Sequence, residues 1–228
     1  MSIRDDWRRT WAVALKDLTA ERRSRATVNA VTFLGVLVLM LFGFALGPDT
    51  EAMREAAVGA IWLAILFSGV LAFNRCYQLE LDGGALEPLL LYPGSRWSIF
   101  AGKLLANLAF VFLVELIVIP VALVLFNVTV SGGWGAQLAV LVLGTVGFVT
   151  LGTFYAAMSS RSRSREVLLP LLLFPMMIPA LLASVQASTA LLSGDLMREA
   201  GAWVRLLIAY DAIFIAASLA GFEYAIEV

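Results

Sequence analysis

The sequence contains no histidine and a single cysteine, and only 14% of its 228 residues are charged. Each shortage removes a class of chemistry. Without histidine there is no Ser/His or Cys/His nucleophile and no H-E-x-x-H metal motif, so no catalytic residue and no metal ligand is assigned. One cysteine, Cys76, forms no intrachain disulfide. The sequence also lacks G-x-x-x-x-G-K-[ST], the loop that cradles nucleotide phosphates, so any dependence on ATP has to come from another polypeptide. The net charge of −1 says little about partners, and no nucleic-acid partner is assigned.

What is abundant is apolar surface. Hydrophobic residues make up 61% of the chain, and runs long enough to cross a hydrocarbon core, about 17 to 25 residues, occur at Ala26 to Leu46, Ala56 to Phe73, Ile99 to Phe126, Trp134 to Met158, Val167 to Leu192 and Trp203 to Tyr224. The first run exceeds the roughly 7 to 15 apolar residues of a secretory signal core, and Pro48 follows its small-x-small spacing, so it is read as a retained span. The expected fold is an all-α membrane protein forming one transmembrane domain. It comprises a surface helix over 1–25, two spans over 26–73, a loop over 74–98 and four spans over 99–225.

Orientation follows from the basic residues. Arg4, Arg8, Arg9, Lys16, Arg22, Arg23 and Arg25 precede the first span; Arg75, Arg96 and Lys103 flank the second loop; Arg161, Arg163 and Arg165 occupy the fourth. Only Arg54, Arg198 and Arg205 fall on the other side. Cytoplasmic loops are the basic ones, which puts both termini in the cytoplasm. Cys76 then faces a reducing compartment.

Ahead of the first span, Ile3, Trp7, Trp11, Leu15 and Leu18 recur at helical spacing with charged residues elsewhere on the wheel, the pattern of an amphipathic helix lying in the membrane surface. It is either a passive anchor or a lever between a cytoplasmic partner and the first span. In the second loop Leu86, Leu89 and Leu90 give a short helix over Gly83 to Leu91 one apolar stripe, and Pro93-Gly94 stops it. Pro88 leaves its start open, at Gly84 with a capping Glu87 or at Pro88 itself. Lys103, near the start of the long third span, is expected to snorkel to the interface. Small residues Gly144, Gly152, Ala156 and Ser160 line one face of the fourth span and permit close helix approach. Pro170, Pro175 and Pro179 each remove a backbone hydrogen bond from the fifth span, so a broken or pivoting helix is expected there.

Two acids are stranded in apolar context, Glu115 in the third span and Asp211 in the sixth. An ionised carboxylate near the bilayer centre costs on the order of 2.5 to 3.5 kcal/mol, so both should face protein or a wet cavity. Rising about 1.5 Å per residue, they lie at comparable depths, roughly 17 and 12 Å below the outer helix ends. A proton relay, an intramembrane acid-base site, a polar transport lining, and a pair of neutral acids hydrogen-bonded to adjacent helices all remain open.

The stretch "LDGGALEPLLLYPGSRWSIFAGKLLAN", Leu81 to Asn107, resembles the cytoplasmic coupling segment of ABC-2-type permeases, with its acid, glycines, Leu-Glu, leucines, proline and the Gly-Lys that opens the next span. With "LLPLLLFPMMIPALLASVQA" in the fifth span, the "FEYAIE" ending, six spans and short loops, the chain as a whole is similar to the CcmB family, permease subunits of the haem exporter of bacterial cytochrome c maturation. The resemblance implies a permease energised by a separate ATPase of CcmA type, working beside CcmC-like and CcmD-like membrane subunits to load a CcmE-like haem chaperone, with two copies in the closed assembly. It implies that Glu80, Asp82, Gly83, Gly84, Leu86, Glu87, Leu89, Leu90 and Pro93 couple to the ATPase; from their own apolar context, Glu115, Asp211, Pro170, Pro175 and Pro179 are the candidates for lining a transport path or pairing helices. Haem iron is held in proteins by His, Met, Cys thiolate or Tyr. With no His, this chain is expected to bind no cofactor of its own and to move or release haem held by its partners. Exporters of lipid, drug or polysaccharide share the coupling segment, and an ion-coupled transporter or intramembrane enzyme using Glu115 and Asp211 is the rival from another class.

Overall fold

The computed structural model describes residues 3–23, 25–84, 95–130, 133–160, 162, 164–194 and 199–225. The described residues form α1 (Ile3–Arg23), α2 (Arg25–Leu46), α3 (Thr50–Arg75), α4 (Gln78–Asp82), α5 (Trp97–Leu125), α6 (Trp134–Ser159), α7 (Arg165–Leu192) and α8 (Ala200–Ala225). Six of these, α2, α3 and α5 to α8, are long and apolar enough to cross a membrane, and they coincide with the six apolar runs. The protein is multi-pass. All its backbone polar groups within the hydrocarbon are satisfied most simply by helices, which is why apolar length alone foretells the elements.

Helix α3 is the most buried span and α2 and α8 the least. Packing in lipid cannot draw on the hydrophobic effect between helices, so close contact depends on small residues. A Cβ added at Gly152 would fall within the Phe73 ring, one at Gly69 within the Phe148 ring, and one at Gly144 against Trp62 and Ser184. The two phenyl rings themselves meet edge to face, centroids 5.0 Å apart. The small face of α6 thus admits the aromatic ridge of α3. Asp49 starts α3 by accepting from the N–H groups of Glu51 and Ala52 at 3.0 and 3.2 Å, satisfying two of its orphan donors.

The fifth span departs from the expectation of a break. α7 is one continuous helix from Arg165 to Leu192 with Pro170, Pro175 and Pro179 inside it. Pro175 and Pro179 lie on its exposed face, where the missing hydrogen bonds leave the packed side of the helix intact. α5 likewise contains Pro120, also exposed, without interruption. A cross-link braces the proline region: the Tyr210 hydroxyl on α8 donates to the Met176 carbonyl at 2.7 Å.

Both ends of the chain meet at one face. The Ser95 N–H donates to Asp6 Oδ1 at 3.2 Å, joining α1 to the start of α5, and the Arg96 guanidinium donates to the Glu223 carbonyl at 3.5 Å, joining the end of α8 to the same place. At the opposite face Arg54 Nε donates to the Asn127 carbonyl at 3.1 Å. The stripe Trp7, Trp11 and Leu15 on α1 is exposed, whereas Val13, Ala14 and Thr10 on its other side are buried against α5. At the contact, a Cβ on Gly102 would collide with the Thr10 carbonyl and Val13, so glycine sets how closely α1 lies.

Candidate functional site

At the face that carries both termini the fold draws four charged side chains into one knot. Lys103, near the start of α5, is fully buried. It does not snorkel, as its place at a span end suggested, because partners come to it. Its Nζ donates to Asp17 Oδ2 of α1 at 3.1 Å, to Glu80 Oε1 of α4 at 2.9 Å and to the Cys76 carbonyl at 2.7 Å. An ammonium has three N–H donors, so three acceptors saturate it. The ammonium also lies 4.5 Å from the Tyr77 ring centroid, a cation–π contact. Lys16, half exposed on α1, pairs with Glu80 and, at 3.2 Å, with Asp17. Two cations and two carboxylates make the cluster neutral, which is what allows it below the surface.

The electrostatics follow from this pairing. Burial by itself would raise the Glu80 carboxyl, but Lys103 and Lys16 outweigh it and hold Glu80 below its usual range. Asp6 is likewise lowered, chiefly by the hydrogen bond from Ser95. Burial pushes the Cys76 thiol up to about 11, and Asn107 Nδ2 donates to its sulfur at 3.2 Å. It is therefore a protonated thiol, not a ready nucleophile or soft ligand.

The knot lies immediately before the coupling segment. α4 ends at Asp82, and Gly84 closes the turn at φ +61°, its N–H donating to the Leu81 carbonyl at 3.2 Å. That backbone conformation suits glycine, which explains the residue at 84. Leu86, Glu87, Leu89, Leu90 and Pro93 lie outside the described residues, as does the side chain of Asp82. Of the residues assigned to ATPase contact, Glu80 takes a different place: it is buried and ion-paired and faces inward.

The two intramembrane acids are placed apart. Glu115 Oε1 accepts from the Thr145 hydroxyl of α6 at 2.6 Å, while Glu115 Oε2 and both Asp211 oxygens have no hydrogen-bond partner. Asp211 presses on the backbone of Gly147, where a Cβ would strike its carboxyl. Thr145 and Gly147 are two positions apart, about 3 Å in height and about 200° around the helix. The acids accordingly share a depth but flank α6 on opposite sides. Among the described residues no group of three His, Cys, Asp or Glu side chains is placed to hold a metal ion.

Sequence comparison places this architecture. The profile of the CcmB protein family matches residues 8–228. The chain belongs to the CcmB family. Its relatives include proteins named Heme exporter protein B: that of Haemophilus influenzae is 31% identical over 72% of this chain and 73% of its own length. That of Rhodobacter capsulatus is 29% identical over 64% and 67%, and that of Pseudomonas aeruginosa 27% over 76% and 77%. The match of this CcmB-family chain begins inside α1, so most of α1, with its Lys16 and Asp17, falls within the family region.

Proposed function

We propose that this chain is the membrane permease subunit of a haem-export ABC transporter serving c-type cytochrome maturation. ATP is hydrolysed by a separate CcmA-like subunit that docks on the segment after α4. The observation that carries the reading is the near-complete family match on a six-span chain that contains no phosphate loop. The basic residues around α1 and the second loop support a bacterial inner-membrane orientation with the knot and both termini on the cytoplasmic side. CcmC-like and CcmD-like subunits, a CcmE-like chaperone and a second copy of this chain complete the assembly.

In this reading Gly83 and Gly84 form a swivel, and Leu86, Leu89 and Leu90 pack in the ATPase cleft with Glu87 supplying charge. The knot acts one turn upstream. A rigid ion-paired anchor at Glu80 ties α4 to α1 and α5 at once, so a push on the docking segment reaches the surface helix and the third span together. Haem iron is held by partner subunits, since the chain lacks histidine and its one thiol is buried and protonated.

Glu87→Lys should abolish co-purification of the ATPase while the chain still inserts and folds; unchanged complex yield sinks the docking assignment. An absorption titration of the purified chain with haem should show no tight stoichiometric axial ligation, and its appearance would overturn the assignment of iron binding to the partners.

A further inference from the structure

Beside the knot, the underside of α1 and the neighbouring parts of α2, α3 and α5 line a cleft that opens to the outside. Its charges are unequal in how well they are met. Asp17 lines it but is taken up by Lys103 and Lys16. Glu21 is not: its Oε1 is buried and has no hydrogen-bond partner, and burial raises its carboxyl above the usual range. Across from it Arg75 is exposed and donates through Nη1 to the Thr27 hydroxyl at 3.1 Å. Thr27 also hydrogen-bonds the Glu21 carboxyl. One hydroxyl therefore stands between a guanidinium with donors to spare and a carboxylate whose second oxygen, Oε1, has no donor. Ala72, Ala106 and Phe110 supply an apolar side to the same cleft.

We propose that this cleft binds the phosphoethanolamine headgroup of a membrane phospholipid, with the phosphate on Arg75, the primary ammonium on Glu21 and the acyl chains leaving along Ala72 and Phe110. The ligand must offer an anion and an N–H cation joined by a short link, above an apolar tail. A choline headgroup has no N–H to give Glu21, and a glycerol headgroup has no cation. The location fits, because α1 shows Trp7 and Trp11 to the outside at the depth where tryptophan belongs in a bilayer. The site is independent of what the protein transports.

The test is competition for the purified full-length chain by native mass spectrometry, with phosphatidylethanolamine, phosphatidylcholine and phosphatidylglycerol at equal concentration. Phosphatidylethanolamine should be retained about tenfold over either rival, the preference a difference of 1.4 kcal/mol gives. Glu21→Gln should bring that preference below about twofold, since the amide keeps the shape and loses the charge. If this variant fails to fold, Arg75→Gln, at an exposed position, should lower phosphatidylethanolamine retention by a similar factor. Soluble phosphoethanolamine should displace the lipid where inorganic phosphate does not. Equal retention of the three lipids, an unchanged preference in both variants, or equal displacement by inorganic phosphate would each overturn the assignment.

Discussion

The chain buries carboxylates in two places and treats them in opposite ways. At the terminus-bearing face Glu80 and Asp17 meet two lysines, a carbonyl and an aromatic ring converge on Lys103, and every ammonium donor of Lys103 is used. At mid-membrane Glu115 has one hydroxyl and Asp211 has no hydrogen-bond partner. Where lysines are within reach, ionised carboxylates give a rigid joint. Where only a hydroxyl and a glycine backbone are within reach, an ionised carboxylate has no partner and is expensive. The first arrangement suits force transmission between helices, the second only local packing.

This contrast is broken most severely at its centre. Lys103→Met leaves Glu80 and Asp17 without their buried cation, and loss of one partner from a buried ion pair costs about 3 to 5 kcal/mol. Unfolding of the detergent-solubilised chain should show a loss of that size, and a loss under about 1 kcal/mol would mean the knot is solvated. Glu80→Gln is expected to cost less, about 1.5 to 3 kcal/mol, the range for hydrogen bonds to charged groups, since Lys103 keeps Asp17 and the Cys76 carbonyl. Its pH signature is sharper than its size. Glu80 is held below its usual value of 4.5, so its contribution is fully present above that value and is lost as pH falls through the lower folded value. The unfolding midpoint should thus fall at acid pH in the wild type, and Glu80→Gln should flatten that fall.

Mid-membrane changes belong at the small end of the scale. Thr145→Val should cost about 0.6 kcal/mol, the average for a polar contact between membrane helices, and Glu115→Gln should cost no more, because the amide oxygen still accepts from Thr145. Asp211→Asn should be smaller again, removing no hydrogen bond. A loss of several kcal/mol at either acid would show that these carboxyls are ionised and paired, erasing the difference between the two regions. Complete loss of haem delivery in Glu115→Gln, with normal folding, would move the functional centre to mid-membrane.

The contrast also marks what a linear sequence can and cannot convey. The six spans were legible because apolar length is a local property, and the helix ahead of them because Trp7, Trp11 and Leu15 repeat at the helical period. The small face of α6 was legible for the same reason. The knot was not. Lys103 and Asp17 are 86 positions apart, and Lys103 and Glu80 are 23 apart, and each has an ordinary explanation alone: a snorkelling lysine, a solvated acid, a docking-loop acid. The one available hint was a lysine and a glutamate flanking the same apolar junction. The prolines of α7 point to a broken or pivoting helix through their lost hydrogen bonds, and the linear sequence does not show that Pro175 and Pro179 sit on the outer face of a continuous one. Matching depth of Glu115 and Asp211 could be counted along the helices, but their separation by α6 depends on how the helices are arranged.

The most direct trial of the account is haem delivery by the assembled transporter in membrane vesicles carrying Glu80→Gln, with the amount of chain and of bound ATPase measured in the same preparation. The account predicts an ATPase that remains bound and still hydrolyses ATP while delivery of haem to its acceptor is lost. Delivery at the wild-type rate, with Glu80 replaced and the complex intact, would contradict it.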